Sequence, residues 1–170
     1  EALLYYASLP SAEPALKNQI LQDKTSDAEG EDEIYRFTPS LDLYRASITD
    51  ATYHWGSHQV RANNGTSNLD VLTFELGVSN PAEYRLRAEE ILHYFHGVNP
   101  LAMVYLTNMG ALGAESSANE IYHSWFADGT EWDNALSSPC GPPPGYVPGG
   151  PNASFSLPAI SPPGNQPAQK

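Results

Sequence analysis

The chain of 170 residues carries 20 acidic against 8 basic residues, a net charge of -12. Because nucleic acids and anionic membranes are bound through clustered Lys and Arg, this charge argues against either partner. Hydrophobic residues make up 41% of the sequence, which is enough for one domain with its own core. No apolar run approaches the roughly 20 residues that span a bilayer.

The first forty residues predict two helices and an exposed loop. Residues 1–9, EALLYYASL, are typical of a helix interior rather than of a chain start, so we expect a further segment before them. SAEPALKNQILQ follows, with Ser11 as the expected N-cap and Pro14 in the first turn. The acidic residues 25–40 predict an exposed loop.

Two more helices are expected in the middle of the chain. TDATYHWGSHQVRANNG is expected to start at Thr49 or Asp50 and to end at Gly65, which suits a left-handed C-cap. TSNLDVLTFELG places leucines at helical spacing and is expected to stop at Gly77.

The clearest helix signature is NPAEYRLRAEEILHYFHG. It has Asn80 at the expected N-cap, Pro81 at the first helical position, Glu83 three residues after the cap and Gly97 at the end. Four or five helices with almost no strand signals predict an all-α fold. We find no repeat of fixed period, although successive helix pairs would suit a helical toroid.

Proline and glycine dominate the last part of the chain. Residues 139–170 hold ten of the fifteen prolines and five of the thirteen glycines. Such a segment cannot form regular backbone hydrogen bonds, so it must lie along another surface or stay disordered. The chain then stops at Lys170 without a closing helix or strand, which predicts a piece cut from a longer protein.

Cysteine and histidine give no strong site by themselves. Cys140 is the single cysteine, so neither an intrachain disulfide nor a cysteine zinc site is available. His93 and His96 have a spacing that could bind a metal but lack a third ligand. They and the other two helical histidines, His54 and His58, are interpreted as packed or solvent-facing side chains.

Several long motifs together resemble one protein family. They are YHWGSHQVRANNG, HYFHGVNPLAMVYLTNM, GAESSANEIYHSWFADGTEWDN and GPPPGYVPGGPN. Their order closely resembles the C-terminal part of the catalytic domains of glycoside hydrolase family 9, endoglucanases with an (α/α)6 barrel. The resemblance implies part of such a barrel with long loops. Residues 1–138 would be its helical part, and 139–170 a Pro/Gly-rich loop of the same domain, truncated before the catalytic acid.

The resemblance also implies the chemistry of the parent protein. Inverting glycosidases use a carboxylate base that activates water and a carboxylic acid that protonates the leaving oxygen, roughly 6.5 to 9.5 Å apart. In the family the base lies well before Glu1 and the acid lies beyond Lys170, so we assign no catalytic residue to this chain. We therefore expect a fragment of a secreted, extracellular endo-1,4-β-glucanase that is inactive alone. Its partners would be a β-1,4-glucan and the remaining segments of the parent chain.

Substrate-binding positions of the family do fall within these residues. A glucan presents flat apolar sugar faces edged by hydroxyls, so a cleft needs aromatic platforms and polar groups. Trp55 matches a platform tryptophan of the family, and His123 matches its loop histidine beside the cleavage subsite. The family's arginine after that histidine is absent, since Ser124 and Trp125 follow. Three flanking aromatic residues are further candidates for the cleft: Tyr122, Trp125 and Tyr146.

A structural calcium ion is the one metal that the resemblance suggests, and no cofactor is required. Asp128 and Asp133 in ADGTEWDN, residues 127–134, are the expected oxygen ligands. The stretch does not have the EF-hand pattern.

Two other functions compete with a glucanase fragment. A non-catalytic helical carbohydrate-binding module would keep the aromatic residues without the chemistry, and a helical protein-interaction scaffold would have no relation to sugars. The order of the motifs favours the glucanase over the scaffold. Whether the missing flanking segments accompany the chain would separate the glucanase from the binding module.

Overall fold

The computed structural model describes residues 1–30, 32–36, 43–121 and 124–151. Most of the regular secondary structure in the described residues is helix, which confirms the predicted all-α class in outline. They contain four α-helices and two short strands: α1 (Ala2–Ser8), α2 (Pro14–Glu29), α3 (Ser57–Thr73), α4 (Pro81–Phe95), β1 (Val104–Thr107) and β2 (Ser117–Ala118). Short 3-10 turns lie at Gly110–Leu112 and Ser124–Phe126. None of the described helices is long and apolar enough to cross a membrane.

Helix α2 starts at the predicted proline but with a different cap. Pro14 is its first residue, and the carboxylate of Glu13 accepts hydrogen bonds from the amides of Ala15 and Leu16 at 3.0 and 2.7 Å. These two amides have no partner inside the helix, so Glu13 satisfies them and also faces the positive end of the helix dipole. Both hydrogen bonds lower the pKa of Glu13. The prediction of Ser11 as the cap was wrong.

Helix α3 is one continuous helix where the sequence predicts two. It begins at Ser57 rather than at Thr49 or Asp50, and it passes through Gly65 without ending. The reason for this glycine is packing: a Cβ atom at Gly65 would lie 3.3 Å from Cγ2 of Ile91 on α4. Gly65 therefore serves close helix contact instead of a helix end, which overturns the predicted C-cap.

Helix α4 follows its sequence signature closely. Pro81 is its first residue, and the side chain of Asn80 donates to Glu83 Oε1 at 2.8 Å. At the other end, Gly97 has a φ of +107°, and the amide of Val98 donates to the carbonyl of His93 at 3.0 Å. Bonds of this kind satisfy carbonyls that a helix end leaves open, so the predicted stop at Gly97 is confirmed.

The chain divides into two compact units, and the first consists of Glu1–Ser47 and Ala62–Leu92. Its apolar core is formed by buried side chains from α1, α2, the end of α3 and the start of α4. Burying each of the larger ones is worth about 1.5–3 kcal/mol. The Tyr84 hydroxyl, buried in this core, donates to the carbonyl of Ala28 at 3.0 Å. The core residues are Leu4, Ala7, Ile20, Ala28, Val71, Leu76 and Tyr84.

A buried arginine holds the irregular part of the first unit in place. Arg87 on α4 is only 1% exposed, and its guanidinium donates to the carbonyls of Arg45, Glu33 and Ser47 at 2.9, 3.2 and 3.2 Å. These carbonyls belong to segments without regular structure, so a five-donor side chain replaces the missing backbone partners.

Replacing Arg87 should therefore destabilise the protein far more than a surface change on the same helix. We expect Arg87→Met to lower the free energy of unfolding by about 3 kcal/mol, because it leaves three carbonyls without their donor. Arg85→Met is the matched control, since Arg85 is exposed, and should change stability by less than about 0.5 kcal/mol. Urea unfolding of both variants measures the difference, and equal effects would contradict this role of Arg87.

The second unit consists of Ile48–Arg61 and His93–Lys170. Its two strands pair in parallel, with Val104 opposite Ser117 and Thr107 opposite Ala118 and an irregular register between them. His96 adds an antiparallel bridge to Val104. Such short strands have too few residues for an alternating pattern, which explains why the sequence gives almost no strand signal.

Candidate functional site

The Pro/Gly-rich stretch is fixed first at the end of β1. The Thr107 hydroxyl donates to the carbonyl of Pro143 at 2.6 Å and accepts from the amide of Tyr146 at 3.1 Å. The Thr107 backbone pairs with the same stretch, donating to Tyr146 O at 2.9 Å and accepting from Gly145 N at 2.8 Å. Asn108 adds a side-chain bond to the carbonyl of Pro142 at 2.9 Å. The described part of this stretch thus lies along β1.

The next residues are fixed at the start of α3. Here the chain 148–151, Pro-Gly-Gly-Pro, offers carbonyls to the first helical turn. Ser57 Oγ donates to Pro151 O at 2.6 Å, the His58 amide donates to Gly149 O at 3.1 Å, and His58 Nδ1 binds Pro148 O at 3.0 Å. We call residues 148–151 the segment and these three hydrogen bonds the segment clamp. Because first-turn amides have no partner inside a helix, the segment supplies the acceptor that His58 N needs.

The imidazole of His58 is fully buried between the segment and a group of aromatic rings. Its ring centroid lies 4.2 Å from that of Tyr105, 5.2 Å from Phe95 and 5.9 Å from Tyr94. On the segment side, a Cβ atom at Gly150 would lie only 2.5 Å from the ring, and Gly150 has a φ of +87°. A side chain at this position would therefore meet both backbone strain and a clash.

His58 is a neutral imidazole with a defined tautomer. A carbonyl can only accept, so the bond to Pro148 requires the hydrogen on Nδ1. Nε2 is then an acceptor, and it is buried without a hydrogen-bond partner among the described residues. Burial lowers the pKa of His58 from 6.5 to about 4, with a smaller contribution from the positive charge of Arg61.

The Arg61 guanidinium contributes the positive charge of this aromatic group. Its central carbon lies 4.5 Å from the ring centre of Tyr94 and 5.7 Å from that of Tyr53, within the range of cation–π attraction. Burial also raises the pKa of Tyr105, so its phenol stays protonated at neutral pH. The group therefore holds one cation and a neutral His58 near pH 7.

The G-x-N-P motif has a structural explanation in this unit. The buried Asn99 side chain donates to the carbonyls of Tyr94 and Met103, both at 2.7 Å. Its oxygen accepts from the amides of Leu101 and Met103 at 3.1 and 3.3 Å. One amide group thus closes the turn between α4 and β1, which sets where β1 begins.

Three of the predicted sugar-binding residues are exposed aromatic side chains. Trp55, Tyr146 and Trp125 have 66%, 55% and 77% of their surface accessible. Trp55 precedes the segment clamp, and a Cβ atom at Gly149 would lie 3.8 Å from its Nε1, so the indole edge faces the segment. Tyr146 is held through its backbone by Thr107 and lies 6.4 Å from the ring of Phe126.

Trp125 is fixed through its backbone, since its carbonyl accepts from the Thr130 hydroxyl at 2.7 Å. Tyr122 and His123, the other two predicted sugar-binding residues, lie outside the described residues. Of the four histidines predicted on helices, His58 and His93 lie on α3 and α4, whereas His54 and His96 lie just outside these helices. His58 is buried and the other three are exposed.

The loop of residues 127–134, the predicted calcium site, forms hydrogen bonds within itself. Asp133 Oδ2 accepts from the amide of Gly129 at 2.8 Å, while Asp133 Oδ1 is buried and has no hydrogen-bond partner in the part of the chain that the structure describes. Over the described ranges, no three His, Cys, Asp or Glu side chains gather closely enough to hold a metal. Calcium at Asp128 and Asp133 stays a prediction, and nothing below depends on it.

Sequence reasoning missed Ser57 and His58 as the residues that organise this site. The Trp-Gly-Ser-His run was interpreted through its tryptophan alone, and His58 as an ordinary helical histidine. The available signal was the Gly-Gly pair flanked by prolines at 148–151, which needs outside donors for its carbonyls. The sequence alone does not show which residues donate to these carbonyls, because the donors lie about ninety residues earlier in the chain.

The lowered pKa of His58 predicts how stability changes with pH. The unfolded chain binds a proton at His58 below pH 6.5, and the folded chain does so only below about 4. The contribution of neutral, buried His58 to the free energy of unfolding is therefore complete above pH 6.5. This contribution is lost as the pH falls towards 4, by up to about 3 kcal/mol. Urea unfolding between pH 7 and pH 4 should show this loss of stability in the unsubstituted chain and in His93→Asn, but a smaller dependence of stability on pH in His58→Asn. Equal slopes in all three proteins would contradict it.

Comparison with known proteins places these residues in a family. The sequence profile of Glycosyl hydrolase family 9 matches residues 6–166, nearly the whole chain. Endoglucanase C of Cellulomonas fimi is 34% identical over 101 residues, which cover 59% of this chain and 8% of that protein's length. No solved structure matches the chain. With a match over almost its full length, this chain belongs to glycosyl hydrolase family 9.

Proposed function

We propose that this chain is part of a secreted, inverting endo-1,4-β-glucanase that hydrolyses β-1,4-glucosidic bonds in cellulose or a related β-glucan. Its own contribution is a wall of the substrate cleft with sugar-binding side chains. The single observation that carries the proposal is the set of exposed aromatic residues, Trp55, Trp125 and Tyr146, on tightly held backbone in a member of this family.

The chemistry of a glucan chain favours these residues. The pyranose ring has an apolar face that packs on an aromatic ring, and its rim hydroxyls take hydrogen bonds. The backbone of Tyr146 is hydrogen-bonded to Thr107. The carbonyl of Trp55 is hydrogen-bonded to His54 Nδ1 at 2.6 Å, and its indole edge lies against Gly149. A preorganised platform loses little conformational entropy on binding. We include Tyr122 and His123 in the same proposed site on the family resemblance alone.

The acid and base of the reaction are proposed to come from parts of the protein outside these residues. Inversion needs a general acid at the leaving oxygen and a general base that activates water on the opposite face of the sugar. Carboxylates such as Asp133 and Glu120 already take part in loop hydrogen bonds, with Gly129 N and Asn134 Nδ2. Such bonds are typical of structural acids. As proposed, the reaction requires no cofactor.

A non-catalytic carbohydrate-binding module is the second candidate. It is favoured by the same exposed aromatic residues, since a binding surface needs platforms and hydrogen-bonding groups but no acid or base. The two candidates differ in one outcome, which is whether a glycosidic bond is cleaved.

Hydrolysis of a soluble glucan separates the candidates. We expect a protein that contains this chain together with its flanking segments to hydrolyse carboxymethyl-cellulose, and the 170-residue chain alone to leave it intact. The first product from a β-1,4-linked oligosaccharide should be the α-anomer, detected by proton NMR, because inversion reverses the anomeric configuration. Binding without cleavage by the longer protein would establish the binding module instead. Turnover by the 170-residue chain alone would overturn the placement of acid and base.

Loss of the Trp55 indole should weaken substrate binding in that longer protein. We expect Trp55→Ala to raise KM by roughly tenfold, the effect of losing about 1.4 kcal/mol of stacking. Trp55→Phe keeps a platform and should stay within about threefold of the parent. Steady-state kinetics on carboxymethyl-cellulose measures both variants, and an unchanged KM in Trp55→Ala would remove Trp55 from the proposed site.

A further inference from the structure

We propose that His58 is a positioning residue for the glucanase reaction: through the segment clamp it holds residues 148–151 where Gly149 supports the Trp55 platform. This inference rests on the proposed function. His58 itself is fully buried beneath the segment, so it contacts the backbone of 148–150 rather than a sugar.

The clamp holds carbonyl groups that little else in the segment can satisfy. Pro148 and Pro151 have no N–H, so they cannot pair with a neighbouring strand through donors of their own. Their carbonyls instead accept from His58 Nδ1 and Ser57 Oγ at 3.0 and 2.6 Å, and the carbonyl of Gly149 accepts from the His58 amide at 3.1 Å. Two of these three bonds come from one residue. Removing the His58 side chain therefore leaves Pro148 without this donor.

The aromatic surroundings fix the orientation of the imidazole. Tyr105 lies against one side of the ring at 4.2 Å between centroids, and the backbone of Gly150 lies against the ring with no room for a Cβ atom. The titratable and charged groups that face it are Arg61 from α3, Tyr94 from α4 and Tyr105 from β1.

The proposed Trp55 platform depends on this geometry. The Trp55 indole edge faces Gly149, so a displaced segment removes the support of the platform. A displaced platform loses part of its contact with the apolar face of the sugar, so substrate binding weakens.

A pair of substitutions separates hydrogen bonding from packing. His58→Phe keeps a planar aromatic ring but has no donor for Pro148. His58→Asn keeps a donor, since its amide nitrogen can occupy the place of Nδ1, but it loses the ring. In the longer protein we expect His58→Phe to raise KM by roughly five- to tenfold, in the same direction as Trp55→Ala. We expect His58→Asn to keep KM within about threefold of the unsubstituted protein, and the exposed His93→Asn to match it.

Amide hydrogen exchange gives a readout that does not depend on catalysis. The amide of residue 58 has its partner, Gly149 O, outside the helix, so its protection reports whether the segment is docked. Loss of one hydrogen bond to the segment should speed its exchange in His58→Phe by roughly threefold to tenfold. His58→Asn and His93→Asn should exchange at the parent rate.

The outcomes decide the proposal separately from the glucanase function. An unchanged KM and unchanged exchange in His58→Phe would overturn it, as would equal increases of KM in His58→Phe and His58→Asn, which would indicate packing alone. If the parent hydrolyses no β-1,4-glucan, the proposed function fails and the role of His58 in that reaction fails with it. The exchange rates at residue 58 still show, in that case, whether His58 holds the segment.

Discussion

The second unit depends on a simple constraint: the carbonyls of a proline- and glycine-rich stretch must find donors elsewhere in the chain. Residues 142–146 find them at Thr107 and Asn108, and residues 148–151 find them at Ser57 and His58. Most of these donors are short side chains at element ends, where backbone groups are also left open. The stretch is held by hydrogen bonds and close backbone contact, and the side chains of Pro142 and Pro148 are buried as well.

In both units, carbonyls outside helices and strands need side-chain hydrogen-bond donors, and the two units use different donors. In the first, the charged Arg87 donates to three carbonyls beside an apolar core. In the second, His58 is neutral because burial disfavours its charged form and Arg61 is already present. A second buried cation there would add repulsion within the aromatic group. His58 therefore stays a neutral buried donor only while the pH stays well above 4, and protonation below that pH would add a buried charge.

Elements with local chemical signals could be predicted, and those that depend on distant contacts could not. Pro81, Asn80 and Gly97 marked α4 because caps act within a few residues. Gly65 misled the prediction, since its local signal for a helix end is weaker than its contact with Ile91. The exposed aromatic residues Trp55, Trp125 and Tyr146 followed from the family motifs. Ser57 and His58 did not, because their partners lie some ninety residues later in the chain.

The exposure of the aromatic side chains has to be considered together with the contacts that hold their residues. A single exposed tryptophan on a surface needs no functional explanation. The backbone of Tyr146, however, is bonded to Thr107, the indole edge of Trp55 lies against Gly149, and the carbonyl of Trp125 accepts from Thr130. These contacts hold the residues that carry the rings while the rings stay accessible. Under the proposed function, a sugar that packs on such a held ring would lose less free energy to ordering of the protein than one that binds a loose loop.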